Sequence, residues 1–114
     1  MKKYIFIVIF SWLFSVPVLH AAPNGAELLN ACRNSLENGF SDLDGMMCTW
    51  YVTPCDCDLA IYNHLPRVCL PQTPDINALA REVIEGLLAQ PELQQKDAAQ
   101  AAAMILVTHY PCAE

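Results

Sequence analysis

The sequence predicts an all-α fold, a small disulfide-bridged bundle of four to five helices. Apolar residues recur at helical spacing in several segments, while no stretch alternates with period two for long enough to form a strand. Six cysteines in a chain of 114 residues are typical of a small domain held together by disulfides. A chain of this length forms a single domain.

Residues 1–21 predict a secretory signal peptide. Two lysines precede an uncharged apolar stretch over 4–19, and Ala21 follows at the expected cleavage point. The alternative is a short membrane anchor, but the stretch is shorter than the ~20 residues of a spanning helix, and Pro17 interrupts it. Cleavage leaves 22–114 as a single helical domain.

The remaining domain is acidic and rich in cysteine. Removing Lys2 and Lys3 leaves four basic and twelve acidic residues, a net charge of −8. This charge argues against nucleic acid and anionic lipid as partners, because phosphates are bound by Lys and Arg. An even number of cysteines in an exported chain predicts disulfides formed in the periplasm or outside the cell. The cysteines are Cys32, Cys48, Cys55, Cys57, Cys69 and Cys112.

The first helix is predicted over 25–38. Asn24 with Glu27 three residues later forms a capping box before an apolar periodic run. Asn38-Gly39 is a typical C-terminal stop, because glycine readily takes the left-handed conformation that ends many helices.

The second helix begins at a capping signal, Ser41 with Asp44, and Pro54 must end or kink it because proline has no N–H. A short further helix is predicted after Pro54, followed by a loop over 66–74. The apolar stripe of the second helix comprises Leu43, Met46, Met47, Trp50 and Tyr51, and that of the short helix Leu59, Tyr62 and Leu65.

The third helix is predicted to begin near Thr73 or Asp75, and its apolar positions repeat at helical spacing up to Leu88. The fourth helix, over 98–109, is predicted to be capped by Asp97 and Gln100. It is apolar nearly all round, so it must be covered on more than one side, and a second subunit is the expected cover. The predicted homodimer interface comprises Met104, Ile105 and Leu106.

Cysteine pairing follows partly from this topology. The third and fourth helices should form an antiparallel hairpin joined by 90–96, which brings Cys69 close to Cys112. The first hairpin can pair Cys32 with Cys48. Six cysteines allow fifteen connectivities. The remaining cysteines, Cys55 and Cys57, would bond to each other or to another chain.

No catalytic set is predicted. Cys55 or Cys57 with His64 could act as a nucleophile and base, but an exported cysteine among five others is more often bridged. A sharper alternative is a copper(I) or zinc site. Its ligands would come from Met46, Met47, Cys48, Cys55, Cys57 and His64. Since oxidised cysteines cannot ligate, the sequence favours a protein without metal or cofactor.

Several short motifs occur in a characteristic order, and through them the chain resembles the Rap/Tai family of type VI secretion amidase-immunity proteins over 24–112. The motifs are Cys32 in the first helix, Cys48-x-x-Tyr51 in the second, Cys69-Leu70-Pro71, Pro91-Glu92 in the last loop and Tyr110-Pro111-Cys112. The chain departs from the family at Pro54, where glycine is usual, at Asp75, where the capping residue is usually Thr, and at Ala78, where Gln is usual. Cys55 and Cys57 are additions.

The resemblance implies a periplasmic helical homodimer that binds a papain-like, peptidoglycan-cleaving amidase and plugs its cleft, with no catalysis of its own. The connector over 89–97 is polar, is not expected to contribute to a core, and lies between two helices, as functional loops often do. The residues predicted to enter the effector's cleft are Glu92, Gln94, Gln95 and Asp97. The alternative is that this connector is only solvated.

A competing interpretation is a small helical periplasmic chaperone of acid stress. Such a protein would protonate its carboxylates at low pH and expose apolar surface, and twelve carboxylates would allow that. The third and fourth helices follow the immunity family more closely, so inhibition of an effector is the preferred function.

Overall fold

The computed structural model describes residues 22–54 and 65–113. Within these ranges the chain forms four α-helices and no strand, as predicted. They are α1 (Gly25–Asn38), α2 (Leu43–Val52), α3 (Ile76–Ala89) and α4 (Ala98–His109), with a 3-10 helix (Pro91–Gln95) between α3 and α4. None of these helices has the length and hydropathy needed to cross a membrane.

Three sets of predictions lie outside the described residues. They are the signal peptide over 1–21, the body of the short helix after Pro54, and the pairing or ligation of Cys55, Cys57 and His64.

Helix α1 has the predicted bounds because its caps are encoded locally. The Asn24 side chain accepts a hydrogen bond from the Glu27 N–H at 2.9 Å, which satisfies one of the unpaired donors of the first turn. At the other end Gly39 has a φ of 92°, and its N–H donates to the Ser35 carbonyl. Glycine adopts this left-handed conformation without a Cβ clash, so the helix stops there.

Helix α2 begins one residue later than its predicted cap implies. Asp42, not Ser41, is the N-cap, and its Oδ1 accepts from the Gly45 N–H at 2.8 Å. A carboxylate is a stronger acceptor than a hydroxyl and also interacts favourably with the helix dipole. Asp44 turns towards α1 and accepts from the Asn34 amide at 2.6 Å. The helix ends at Val52, two residues before Pro54.

The second pair of helices is capped less uniformly. Asp75, rather than Thr73, caps α3 and accepts from the N–H groups of Asn77 and Ala78. Asp97 stands at the predicted N-cap position of α4, but its side chain makes no hydrogen bond to that helix. The start of α4 is instead held by the backbone, since Ala98 N–H donates to the Pro23 carbonyl at 2.9 Å.

The core lies between the four helices, and α1 contacts every other element. Small residues let α4 approach closely, because Ala98, Ala101 and Ala102 are buried along it. The largest side chains that are fully enclosed come from all four helices and the 3-10 segment. They are Leu28, Leu79, Leu87, Leu93, Leu106, Val52 and Val83.

Helix α4 is covered within the single chain. Ile105 is 3% exposed and Leu106 is fully buried, while Met104 remains 37% exposed. Helices α1, α2 and α3 and the 3-10 segment all contact α4. The sequence predicted a second subunit as the cover over Ile105 and Leu106. The single chain already encloses both side chains, so the apolar character of α4 does not require a second subunit there.

Within the part of the chain that the structure describes, two disulfides form as predicted. Cys32–Cys48 links α1 to α2 with both side chains fully buried. Cys69–Cys112 joins the segment before α3 to the segment after α4, and Cys69 is exposed. Beside it the Cys69 N–H donates to the Tyr110 carbonyl at 2.9 Å. The second bridge thus closes the α3–α4 hairpin at the surface.

Candidate functional site

The connector between α3 and α4 (residues 89–97) is an ordered element. Pro91 begins a 3-10 helix, a position that suits proline because its missing N–H has no partner to lose there. The Leu93 N–H donates to the Gln90 carbonyl, and the Lys96 N–H donates to the Leu93 carbonyl. Both bonds join residues three positions apart, as in a 3-10 helix. The connector is therefore a short helix where the sequence predicts a loop.

Leu93 anchors this connector in the core. Its side chain is 2% exposed, so the expectation that nothing in 89–97 contributes to a core is wrong. A single leucine among polar residues gives no periodic signal over so short a segment, and its burial follows from the way the turn folds back onto the helices. The connector therefore contributes one buried apolar side chain to the core, and the residues around it are polar.

The connector is also attached to the start of α1. The Gly25 N–H donates to the Lys96 carbonyl at 2.8 Å. A Cβ on Gly25 would collide with the Leu93 carbonyl and lie 2.9 Å from the Gln94 Cα, so only glycine allows this approach. These contacts hold the connector rigidly against α1.

The four residues predicted to meet a partner divide into two kinds. Gln94 is half-buried, and its amide donates to the Leu87 carbonyl at 3.0 Å, so it satisfies an unpaired carbonyl at the end of α3. Glu92, Gln95 and Asp97 are exposed. The connector therefore presents two carboxylates and one amide from a fixed backbone.

A second surface was missed by sequence reasoning. Leu43 is 82% exposed, Met46 63% and Trp50 70%, and we call these three side chains the outer face of α2. The predicted apolar stripe of the second helix included all three. The structure instead buries the opposite side of α2, where Gly45, Cys48 and Val52 lie.

The disulfide explains which side of α2 faces inward. Cys48 must point at Cys32 to form the buried bridge, and residues three or four positions from Cys48 share its face. That face includes Gly45 and Val52. If Cys48 is assumed to face the core, the spacing of residues along α2 predicts that the outer face is exposed.

A tyrosine–carboxylate contact ties the end of the chain to α3. The Tyr110 hydroxyl donates to Glu82 Oε1 at 3.1 Å, and Glu82 Oε2 is enclosed without a hydrogen-bond partner among the described residues. Desolvation raises the pKa of Tyr110, and the hydrogen bond and negative charge of Glu82 and the charge of Asp75 raise it further. This contact keeps the tyrosine protonated, as a structural donor.

The metal alternative loses one of its ligands. Cys48 is bonded to Cys32 and so cannot serve as a thiolate ligand. Within residues 22–54 and 65–113, no group of three or more His, Cys, Asp or Glu side chains is placed to hold a metal ion.

Comparison with known proteins identifies one family. A model of the Rap1a immunity proteins matches residues 24–112, a range that includes all four helices and both described disulfides. Comparisons with curated proteins and with solved structures found no match.

Proposed function

The chain belongs to the Rap1a immunity protein family, and we propose that it is a periplasmic inhibitor that binds and blocks a peptidoglycan-cleaving amidase of a type VI secretion system. The family match carries this proposal, because an immunity protein acts by binding a secreted effector. The amidase target and the periplasmic site follow from the family resemblance and the predicted signal peptide. The two disulfides suit an oxidising compartment.

In this proposal the connector over 89–97 enters the effector's catalytic cleft. Its backbone is already fixed by Leu93 and by the bond from Gly25 to Lys96, so little conformational entropy is lost on binding. Glu92, Gln95 and Asp97 can accept hydrogen bonds from a catalytic histidine or cysteine, and Gln95 can also donate. An occupied cleft cannot bind peptidoglycan peptide.

Charge assists the encounter in the same proposal. With the signal peptide removed, the chain carries a net charge of −8, which would accelerate association with a basic effector surface. Gln94 has a structural role, since its amide donates a hydrogen bond to a carbonyl at the end of α3. We therefore assign partner contact to Glu92, Gln95 and Asp97 and a positioning role to Gln94.

The resemblance also implies a homodimer, and we propose that it forms with Met104 at its interface. Of the three residues predicted for that interface, Met104 is the one that the single chain leaves exposed.

The test combines protection of cells with affinity. An amidase effector directed to the periplasm should lyse cells, and co-production of the exported wild-type chain should prevent lysis. The double change Glu92→Ala with Gln95→Ala should weaken binding at least tenfold, about 1.4 kcal/mol, without lowering the melting temperature, since both side chains are exposed.

A matched control replaces the same residue types elsewhere. Glu37→Ala with Gln72→Ala also removes one exposed carboxylate and one exposed amide, and it should leave affinity unchanged. Equal affinity of the two double variants would place the contact outside the connector. Lysis in the presence of the wild-type chain would refute inhibition of that amidase.

A further inference from the structure

We propose that the outer face of α2 (Leu43, Met46 and Trp50) is a second docking surface for the effector, and that it fits an apolar pocket bordered by Lys or Arg side chains. This inference rests on the proposed function and extends it to a separate part of the molecule. It starts from the exposure of the three side chains, 82%, 63% and 70% respectively.

The three residues form one continuous stripe. Spacings of three and four residues place them on the same side of a helix, over about 10 Å along the axis at 1.5 Å per residue. Single exposed apolar residues are common, whereas a contiguous apolar patch marks an interaction site. Tryptophan is also the residue most enriched among those that dominate binding energy at interfaces.

The stripe cannot turn inward. Cys48, on the opposite side of α2, is bonded to Cys32 in the core. On that buried side a Cβ on Gly45 would collide with the backbone of Phe40, so the helix start is also packed tightly. The covalent bond and this close approach fix the rotation of α2 and keep its outer face in solvent.

The charges around the stripe select the partner. Residues 39–54 contain two carboxylates, Asp42 and Asp44, and no Lys, Arg or His. Both carboxylates flank Leu43 in the sequence. Asp42 is exposed, while Asp44 is half-buried and accepts from Asn34 of α1. A basic protein surface complements this arrangement. A bilayer with anionic lipids does not, because such membranes attract basic segments. A second copy of the chain would bring like charges together.

The two surfaces can be altered independently. Helix α1 contacts both α2 and the 3-10 segment, while α2 and the 3-10 segment do not contact each other. Substitutions of exposed side chains that do not contact each other usually have nearly additive effects on free energy. A variant of the outer face of α2 should therefore weaken effector binding whether or not the connector is intact.

The experiment measures binding to an amidase effector whose catalytic cysteine is replaced by alanine. Trp50→Ala should weaken binding at least thirtyfold, and Met46→Ala about fivefold, because both remove apolar contact area. Neither change should lower the melting temperature, since both side chains are exposed. Leu88→Ala is the control for Met46→Ala, because it removes an exposed apolar side chain of similar size from a different helix, and it should change affinity less than twofold.

The outcomes separate this inference from the proposed function. If the wild-type chain binds the amidase and Trp50→Ala binds equally well, the outer face of α2 is not the docking surface, while the proposed function stands. If the wild-type chain does not bind the amidase, both proposals fail. A wild-type dimer that Trp50→Ala separates in sedimentation would instead assign the face to a second copy. Binding of the chain to anionic vesicles, lost on the same change, would assign it to a membrane.

Discussion

The first helical hairpin, α1–α2, and the second, α3–α4, distribute cysteine and apolar side chains in opposite ways. In the first, the disulfide is fully buried, and three large apolar side chains of α2 face solvent. In the second, the disulfide involves the exposed Cys69, and Ile105 and Leu106 of α4 are enclosed. A buried bridge fixes which face of a helix is inward, whereas a surface bridge closes a hairpin whose packing is already set by its apolar residues.

The largest expected effect comes from placing a charge inside the second hairpin. Ile105→Asp should prevent folding, because an unpaired carboxylate in the core costs several kcal/mol and small domains have only ~5–15 kcal/mol of stability. Circular dichroism and urea unfolding would measure this. A folded, stable Ile105→Asp variant would show that α4 is less enclosed than the comparison requires.

The neighbouring residue provides the control. Met104→Asp places the same charge on the exposed side of α4, so the helix content and the unfolding midpoint should stay close to those of wild type. If the proposed homodimer forms through Met104, this variant should be monomeric at tens of micromolar in sedimentation, while wild type is dimeric.

The second expected effect compares the two disulfides directly. Loop closure contributes about 3 kcal/mol for the separation of 16 residues in Cys32–Cys48 and about 4 kcal/mol for the separation of 43 in Cys69–Cys112. Loop length alone therefore ranks the second bridge higher. Burial reverses the order, because serines at 32 and 48 would also leave two hydroxyls in the core at about 1–3 kcal/mol each.

Urea unfolding of the two double Cys→Ser variants tests this ranking. Cys32→Ser with Cys48→Ser should lose about 5 kcal/mol or more, and Cys69→Ser with Cys112→Ser about 4 kcal/mol. The opposite ranking would mean that the loop term, rather than burial, governs the contribution of both bridges.

The smallest expected effect concerns the tie between Tyr110 and Glu82 in the second hairpin. Tyr110→Phe should cost about 1 kcal/mol, because Glu82 Oε1 loses its donor. The pKa of Tyr110 in the folded chain is raised above the ordinary value of 10.0, so above that pH the folded state binds more protons than the unfolded state. The stabilising contribution is therefore complete below about pH 10 and is lost as the pH rises through the raised pKa.

Unfolding of wild type and Tyr110→Phe between pH 8 and 11 measures this dependence. The difference in stability between the two proteins should shrink above pH 10. A difference that stays constant over the range would show that the tyrosine makes no pKa-linked contribution.

The helix bounds were predictable because they depend on local chemistry. Asn24, Gly39 and Asp75 each act on backbone groups within four residues. The same local reasoning predicted Ser41 instead of Asp42 as the cap of α2. It could not distinguish them, because the two residues are adjacent and both are good N-caps. The pairs Cys32–Cys48 and Cys69–Cys112 were also predictable, because each joins the two sides of a helical hairpin.

The surfaces proposed to meet a partner were less predictable because they depend on packing. The rotation of α2 follows from Cys48, not from its hydrophobicity, since the helix has apolar residues on both sides. The burial of Leu93 and the use of Gln94 at the end of α3 depend on how the connector folds back. The family resemblance supplied the class of function, and the structure then separated exposed from structural residues in the connector.

The bonds between the start of α1 and the start of α4 also order the steps of folding. Gly25 bonds to Lys96, and Ala98 bonds to Pro23, across roughly seventy residues of chain. The contacts between α1 and α2 join residues close together in the chain, so this hairpin can form early in folding. The first turn of α1 must wait for residues 96–98. The start of α1 is therefore completed only when the start of α4 is in place, and a chain folded only through α1 and α2 leaves residues 23–25 open to proteases.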